Sequence, residues 1–427
     1  MNVLVVGGGG REHALCWRLS QDPTITRVLA APGSAGIAAS AEVFPAVASD
    51  DVGAIVNLVD QQDVDLTVIG PEAPLVAGLA DALHTQGRNV FGPSAAAARI
   101  EGSKAFAKEV MERRGVPTAR SGVFEDVEKA VAFVDELGGR AVVKADGLAA
   151  GKGVTVAHDR ETAVAGIEAS LVEGAFGQAG RTIVVEELLD GQEVSVFAVT
   201  DGKGNCVLLD AAQDFKRIGD GDTGPNTGGM GAYSPVPALS EETATEILDT
   251  VIAPVVDELR PYRGVLFAGM MLTDDGPKVL EFNCRFGDPE TEVLLPRMPY
   301  RVGTLLHACA TGRLAHEAGH AGFDDGAAVT VVLASEGYPG SYPTGVPIDG
   351  VEVANSLDGV TVFHAGTARD DNGVLVTAGG RVLAVTGTGA TIAEARERAY
   401  QGVETIRFEG MHFRTDIAAA AAAEEAR

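Results

Sequence analysis

Short apolar runs alternate with amphipathic stretches along the first hundred residues. Val3-Leu4-Val5-Val6, Arg27-Val28-Leu29-Ala30, Leu66-Thr67-Val68-Ile69 and Asn89-Val90-Phe91 are too short for helices and read as buried strands. The segments 12–20, 51–61 and 75–85 between them carry helical patterning. Strand and helix in alternation predict a parallel, doubly wound sheet, with ligands at the carboxyl ends of its strands. Gly7 to Gly10 and Gly70-Pro71-Glu72 stand at such ends. A helix-rich link, 95–114, follows and ends at Gly115-Val116-Pro117. From about 118 to 190 the pattern predicts a small insert. It has strands at 141–144 and 154–157 around a glycine-rich loop, a helix at 161–173 and a strand at 182–185. Strands 194–199 and 207–209 flank Asp201-Gly202-Lys203-Gly204-Asn205, a hairpin signal. Ser240 can cap a long helix running to Leu259, and 265–272 with 278–282 form a second hairpin. From about 326 the chain is rich in Val, Thr and Gly and reads as a mostly β module. The Ala-rich tail 418–427 is a helix end or a frayed segment.

Composition narrows the class. Of 427 residues, 46% are hydrophobic and 22% charged, enough for a sizeable core and too apolar for global disorder. The length implies more than one domain. Lys and Arg number 33 against 60 Asp and Glu, a formal net charge of −27. That field disfavours nucleic acid and anionic membranes as partners, while a pocket for a small anion needs only a few cations. Cys16, Cys206, Cys284 and Cys309 make no CxxC pair, so no disulfide framework or zinc knuckle is expected, and reduced thiols in the cytoplasm fit best. The N-terminus lacks a basic stretch before its apolar run, so no signal peptide is expected, and no apolar run approaches the ~20 residues of a membrane helix.

The glycine run Gly7-Gly8-Gly9-Gly10-Arg11-Glu12-His13 lies between a strand and a helix. Glycines let backbone N–H groups approach phosphate oxygens, and a helix N-terminus favours negative charge. The dinucleotide fingerprint fails, because its third glycine position is Glu12 and the second strand ends in Ala30-Ala31 rather than an acid. Two readings stay open on local sequence: a cradle for a single phosphate with Arg11 as charge partner, or a turn serving helix–sheet packing.

Lys144-Ala145-Asp146-Gly147-Leu148-Ala149-Ala150-Gly151-Lys152-Gly153-Val154 is a glycine-rich loop between strands, not a Walker A loop. Such a loop can close over phosphates as a lid, with Lys144 placing its ammonium on them, or it is a mobile hairpin with solvated lysines. Glu186-Glu187-Leu188-Leu189 after an apolar strand can offer backbone groups to an adenine edge, and Glu193 can take ribose hydroxyls; alone, the stretch also reads as an acidic loop. In Glu281-Phe282-Asn283-Cys284-Arg285-Phe286-Gly287-Asp288-Pro289-Glu290-Thr291-Glu292, the side chains of Glu281 and Asn283 share a strand face. A carboxylate and an amide oxygen suit Mg²⁺, which keeps waters and phosphates as its other ligands. If the strand continues to Arg285, that side chain shares the face and can fork onto a carboxylate. Asp214-Phe215-Lys216-Arg217 and the polar, glycine-rich stretch 222–231 form a long loop expected to be ordered and functional. His316-Glu317-Ala318-Gly319-His320 matches a zinc-protease signature, but Gly319 and Gly322 end the helix that signature needs.

These motifs together resemble the glycinamide ribonucleotide synthetases (phosphoribosylamine–glycine ligases) of the ATP-grasp superfamily. The resemblance runs over nearly the whole chain. It rests on Gly9-Gly10-Arg11-Glu12-His13-Ala14, Gly70-Pro71-Glu72, the 144–154 loop, Pro225-Asn226-Thr227-Gly228-Gly229-Met230-Gly231-Ala232-Tyr233-Ser234-Pro235 and, most specifically, Arg285 to Glu290. One departure is Gly8, where the family tends to carry Asn or Ser. The resemblance implies an α/β chain with a Rossmann-like domain at 1–100. An ATP-grasp domain at 101–325 follows, with a lid lobe at about 118–190, and then a C-terminal β-rich domain at 326–427. It implies ligation of glycine to 5-phosphoribosylamine through glycyl phosphate, with ATP and Mg²⁺ or Mn²⁺, in a cytoplasmic monomer of purine biosynthesis. Lys104, Lys144, Gly151, Lys152, Gly153, Glu186, Glu187, Leu188, Leu189 and Glu193 would serve ATP, and Glu281 and Asn283 the metal. Lys144 and Arg285 would be catalytic, with Arg285 also holding the glycine carboxylate or the acyl phosphate. Gly9, Gly10, Arg11, Glu12, Gly70, Pro71, Glu72, Asp214, Lys216, Asn226, Thr227, Gly228 and Gly229 would line the substrate site. Another ATP-grasp carboxylate–amine ligase, a nicotinamide oxidoreductase and a non-catalytic binding protein are the competing classes.

Overall fold

The computed structural model describes residues 1–147, 153–299, 301–317 and 322–425. Strands β1 (Asn2–Gly7), β2 (Arg27–Pro32), β3 (Glu42–Val43), β4 (Leu66–Ile69) and β5 (Val90–Phe91) form a wholly parallel sheet in the order β3-β2-β1-β4-β5. Val3 to Val6 are buried on both faces, as the unbroken apolar run requires. Strand β3 carried no apolar run and was not foreseen. The expected single helix 75–85 is two, Glu72–Val76 and Leu79–Thr85, broken where Gly78 turns left-handed at φ 88°. The 95–114 link is likewise two helices, Ala95–Gly102 and Lys104–Arg114. Ser103 takes extended backbone between them and caps the second by accepting the Phe106 N–H.

The insert holds strands β6 (Ser121–Phe124), β7 (Ala141–Ala145), β8 (Val154–Ala157) and β9 (Ile183–Glu187) in antiparallel order β6-β9-β7-β8. Two helices, Val127–Glu136 and Arg160–Leu171, cover it, each capped by an aspartate one residue earlier. Strand β6 and the first helix are additions to the sequence reading. Ala130, Val143, Ile167 and Val185 belong to a core cluster of the insert's own. That gives it the packing of a lobe rather than a loop.

The next sheet is antiparallel: β10 (Gln192–Asp201) pairs β11 (Cys206–Leu208) and β16 (Arg263–Thr273), and β16 pairs β17 (Gly276–Asn283). Between them lie the short strands β12 (Gln213–Asp214), β13 (Arg217–Gly219), β14 (Thr223–Asn226) and β15 (Gly231–Ser234). The helix capped by Ser240 widens into a π turn over Leu248–Ile252, just ahead of Pro254, whose missing N–H interrupts the ladder. Strands β18 (Ala327–Ala334), β19 (Val360–His364), β20 (Thr367–Arg369), β21 (Leu375–Thr377) and β22 (Arg381–Gly389) follow. The C-terminal sheet runs β12-β15-β18-β22-β19, so it borrows two strands from upstream. The mostly β expectation also missed the helix Ile392–Thr405, packed on β22. The Ala-rich tail is helical over Ala419–Glu425. All four cysteines are free. Among the described residues no helix is long and apolar enough to cross a membrane.

Candidate active site

A cleft of about 1070 Å³ opens where the parallel sheet, the insert, the central antiparallel sheet and the C-terminal module meet. Strand β17 forms its floor. The alternation of side chains puts Phe282, 2% exposed, into the core and leaves Glu281 and Asn283 on the cleft side. Burial pushes the Glu281 carboxyl up, but the Lys216, Lys144 and Lys104 cations outweigh it and hold it below the usual range. The Asn283 side-chain oxygen accepts from Arg285 Nη2 at 3.2 Å.

Arg285 is fixed by acids from the first domain and its link. Nη2 lies 2.9 Å from Glu101 and Nε 3.4 Å from Glu72. Glu101 also accepts the Cys284 N–H at 2.8 Å, tying the end of β17 to the helix Ala95–Gly102. Burial raises the Glu101 carboxyl despite Arg285, whereas Glu72, also penalised by burial, is held low by Arg285 and Arg11.

A second group of cleft residues converges opposite. Lys144 on β7 donates to the Leu280 carbonyl at 2.8 Å and pairs with Glu186 at 3.1 Å. Glu186, 2% exposed, is also paired at 3.2 Å with Lys108. Its carboxylate is spent on lysines, so what it leaves to a ligand is backbone. Lys104 donates to the Gly147 carbonyl at 2.9 Å, and burial lowers its ammonium. Asp146 accepts from Ser103 and from the Ala105 N–H, so the chain just past β7 is docked on the helix Lys104–Arg114. Glu187, Leu188 and Leu189 line the cleft, and Glu193 pairs with Lys216. Gly153 lines it too, while Gly151 and Lys152 lie outside the described residues.

Asp214, Lys216, Asn226, Thr227 and Gly228 reach the cleft together. Burial raises the Asp214 carboxyl well above its usual range against the pull of Lys216. Gly229 sits behind this wall, its backbone against Pro289.

The glycine run behaves differently from a free phosphate cradle. The Gly9 N–H donates to Glu12 Oε2 at 2.7 Å, and Asp288 stands 3.5 Å from the Arg11 N–H. The Arg11 side chain is bound to Glu12 at 2.6 Å and to the Phe286 carbonyl at 3.1 Å. Carboxylates thus occupy the helix N-terminus that sequence offered to a phosphate. Arg11, Pro71 and Glu72 line the cleft, with Gly9, Gly10, Glu12 and Gly70 packed behind them. At Gly8 a Cβ would stand 2.5 Å from the Gly33 carbonyl oxygen, so this chain's loop closes on backbone where a side chain was expected.

Sequence reasoning missed Glu101, Lys108, Arg381, Tyr338 and Tyr342. Arg381, on β22, donates to the Asp288 carbonyl at 2.8 Å and pairs with the Asp288 carboxylate at 3.1 Å. Tyr338 accepts the Gly228 N–H at 2.9 Å. An Arg or Tyr in a β-rich stretch carries no local signal of a cleft built far upstream. His320 of the zinc-like motif lies outside the described residues.

Among the described residues no three His, Cys, Asp or Glu are grouped to hold a metal. Glu281 and Asn283 supply two oxygens on one face, a fit only for a hard cation that takes its remaining ligands from water and phosphate. The Asn283 oxygen is also an acceptor for Arg285.

Family models match along the chain: the phosphoribosylglycinamide synthetase N domain over residues 1–101, its ATP-grasp (A) domain over 102–291 and its C domain over 328–420. A phosphoribosylamine–glycine ligase of Streptomyces coelicolor is 52% identical over 428 residues, covering 99% of this chain and 100% of that one. The crystal structure of the phosphoribosylamine–glycine ligase of Thermotoga maritima aligns with a TM-score of 0.82 at 35% identity, covering 98% and 100%. The biotin carboxylase domain of Hydrogenobacter thermophilus 2-oxoglutarate carboxylase, solved with MgADP, ADP and bicarbonate, shares the fold at a TM-score of 0.74 and 19% identity, covering 96% and 91%. The chain belongs to the phosphoribosylglycinamide synthetase family.

Proposed function

We propose that this chain joins glycine to 5-phospho-D-ribosylamine at the expense of ATP, giving glycinamide ribonucleotide, ADP and phosphate in purine biosynthesis. The observation that carries the reading is Arg285, anchored by Glu72 and Glu101, beside Glu281 and Asn283 and facing Lys144 and Lys104 across one cleft. A carboxylate is a poor electrophile toward an amine. Attack of a glycine carboxylate oxygen on the γ-phosphorus of ATP, with ADP leaving, gives glycyl phosphate. The amine of phosphoribosylamine then attacks its carbonyl carbon, phosphate leaves with one former carboxylate oxygen, and the nitrogen gives up a proton. Phosphoryl transfer needs charge neutralisation and alignment rather than a covalent nucleophile. The cleft's lysines and arginines meet that need.

In this reading Arg285 grips the glycine carboxylate and later the acyl phosphate. Lys144 and Lys104 neutralise ATP phosphates, the 186–189 backbone takes the adenine edge, and Glu193 takes the ribose. Glu281 and Asn283 hold a divalent cation, Mg²⁺ or Mn²⁺, which would supply further neutralisation of the phosphates. Asp214, Lys216 and the 226–229 stretch, with Pro71 and Glu72, face phosphoribosylamine, while Gly9, Gly10, Glu12 and Gly70 support that wall from behind. The lobe at 118–190, whose Gly153 lines the cleft, serves as a lid over the phosphates and shields two water-labile species. Domain limits at 1–100, 101–325 and 326–427 accompany this assignment. A monomer as the working unit accompanies the assignment, and free thiols support the cytoplasm. The test is ADP release with ATP, Mg²⁺ and glycine, with and without fresh phosphoribosylamine. ADP should require both co-substrates and fall roughly 100-fold or more in Asn283→Ala. ADP released only with another carboxylate or amine would reject the substrates and keep the fold.

A further inference from the structure

Strands β13 and β14 form a two-stranded ribbon paired at Arg217 with Asn226 and at Gly219 with Thr223, with a register shift between. Its outer residues, 220–225, are exposed. Such a ribbon is marginal in water by itself. Its root holds Lys216 and Thr227, since the Lys216 carbonyl accepts both the N–H and the hydroxyl of Thr227, at 2.7 and 2.9 Å. The ribbon therefore decides where one wall of the cleft stands.

What steadies it comes from almost two hundred residues downstream. Arg414 is 1% exposed, and its Nε and Nη2 grip the two oxygens of Asp416 at 2.7 Å each. Its Nη1 donates to Asp222 at 2.7 Å and to the Arg217 carbonyl at 3.1 Å, and the guanidinium lies 4.9 Å over the Phe215 ring. Asp222 sits at φ 53°, a conformation unfavourable for a residue with a Cβ, and Arg414 holds it there. Neighbouring residues add to the grip. Asp416 accepts the Gly221 N–H at 2.8 Å, Asp220 accepts the Thr415 N–H at 2.8 Å, and His412 Nε2 meets the Ile218 carbonyl at 2.8 Å. Only a guanidinium supplies this planar set of donors while stacking on a ring.

We propose that Arg414 is a positioning residue for the amine substrate: through Asp222 and the Arg217 carbonyl it sets the 214–227 wall against which phosphoribosylamine binds. Arg414 itself does not line the cleft. The inference rests on the ligase reading for the identity of that substrate, and on geometry alone for the strap. The ATP half of the cleft is built from β7, β9, β17, Lys104 of the helix Lys104–Arg114 and Glu193 on β10, none of which Arg414 contacts in these bonds. Losing the strap should therefore weaken one substrate more than the other.

Steady-state kinetics on the full chain test this with Arg414→Met, Arg414→Lys and Asp416→Asn. The expected result is a KM for phosphoribosylamine raised about 10- to 100-fold in Arg414→Met, with the KM for ATP within about threefold. Arg414→Lys and Asp416→Asn should fall between wild type and Arg414→Met. Equal rises in both KM values, or no rise in either, overturn the proposal, and Asp416→Asn decides if Arg414→Met does not fold. Tryptic cleavage after Arg217 gives a second reading independent of activity. It should quicken in the variants while the rest of the chain stays intact, and an unchanged rate overturns the strap. Wild-type protein without glycine-dependent ADP release would instead reject the ligase reading, and the cleavage result would still judge the strap.

Discussion

At the scale of single residues, the chain places function where local sequence is densest, but its supports elsewhere. Glu281 and Asn283 were legible as neighbours because strand alternation fixes their common face, whereas β17 stops short of Arg285, which Glu72 and Glu101 hold beside them. Glu101 and Arg381 were not legible, because their partners Cys284 and Asp288 lie far away in sequence. Only the closed chain brings them together. The glycine run shows the converse, a phosphate-like signature whose donors are bound to Glu12 and Asp288. Gly70 shows how tightly this is packed, since a Cβ there would stand 2.1 Å from Glu12 Oε1. Gly70→Ala should push the Glu12 carboxylate off the Gly9 N–H and cost about 1–3 kcal/mol in chemical denaturation. A cost near zero would mean that Glu12 has room to move and that its cap is weak.

At the scale of elements, the Ser240 cap was readable from its own side chain, while the break at Ser103, which caps the second helix within 95–114, and the strands set by tertiary pairing were not. The short strands β3 and β6 owe their existence to neighbours rather than to their own pattern. One junction of elements carries a pH prediction. The helix Gly10–Ser20 meets β19 through His13, whose Nδ1 accepts the His364 N–H at 2.7 Å. Burial drives the His13 imidazole down to about 3, with His364 adding to the effect, and burial with Arg369 takes His364 to about 4. A buried histidine with a lowered folded value favours the folded state above its unfolded value near 6.5 and loses that stability as pH falls toward the folded value. Between pH 7 and pH 5 the wild type should therefore lose about 2 kcal/mol more than His13→Gln, in which one such group is absent. Parallel pH profiles from urea melts would show that His13 is not neutral in the fold.

At the scale of the whole molecule, four sheets converge on one cleft, and the C-terminal module closes it. The strand order explains how: β18 pairs with β15, next to the 222–231 stretch, and β22 pairs with β18, so Arg381 and Tyr338 arrive at the cleft with the sheet. The alternating pattern of the first hundred residues and the hairpin signals of the middle gave the outline of that architecture. The sharing of a sheet between upstream strands and the C-terminal module carries no local pattern. The net charge of −27 makes the cation cluster on the cleft's walls the feature that admits anionic substrates at all. The account's central claim is that this cleft activates the glycine carboxylate as an acyl phosphate. The most direct test supplies glycine labelled with ¹⁸O in both carboxylate oxygens, together with ATP, Mg²⁺ and phosphoribosylamine, and analyses the inorganic phosphate by mass spectrometry. The account predicts one labelled oxygen in each phosphate released and one retained in the glycinamide product. Unlabelled phosphate formed alongside product would contradict it.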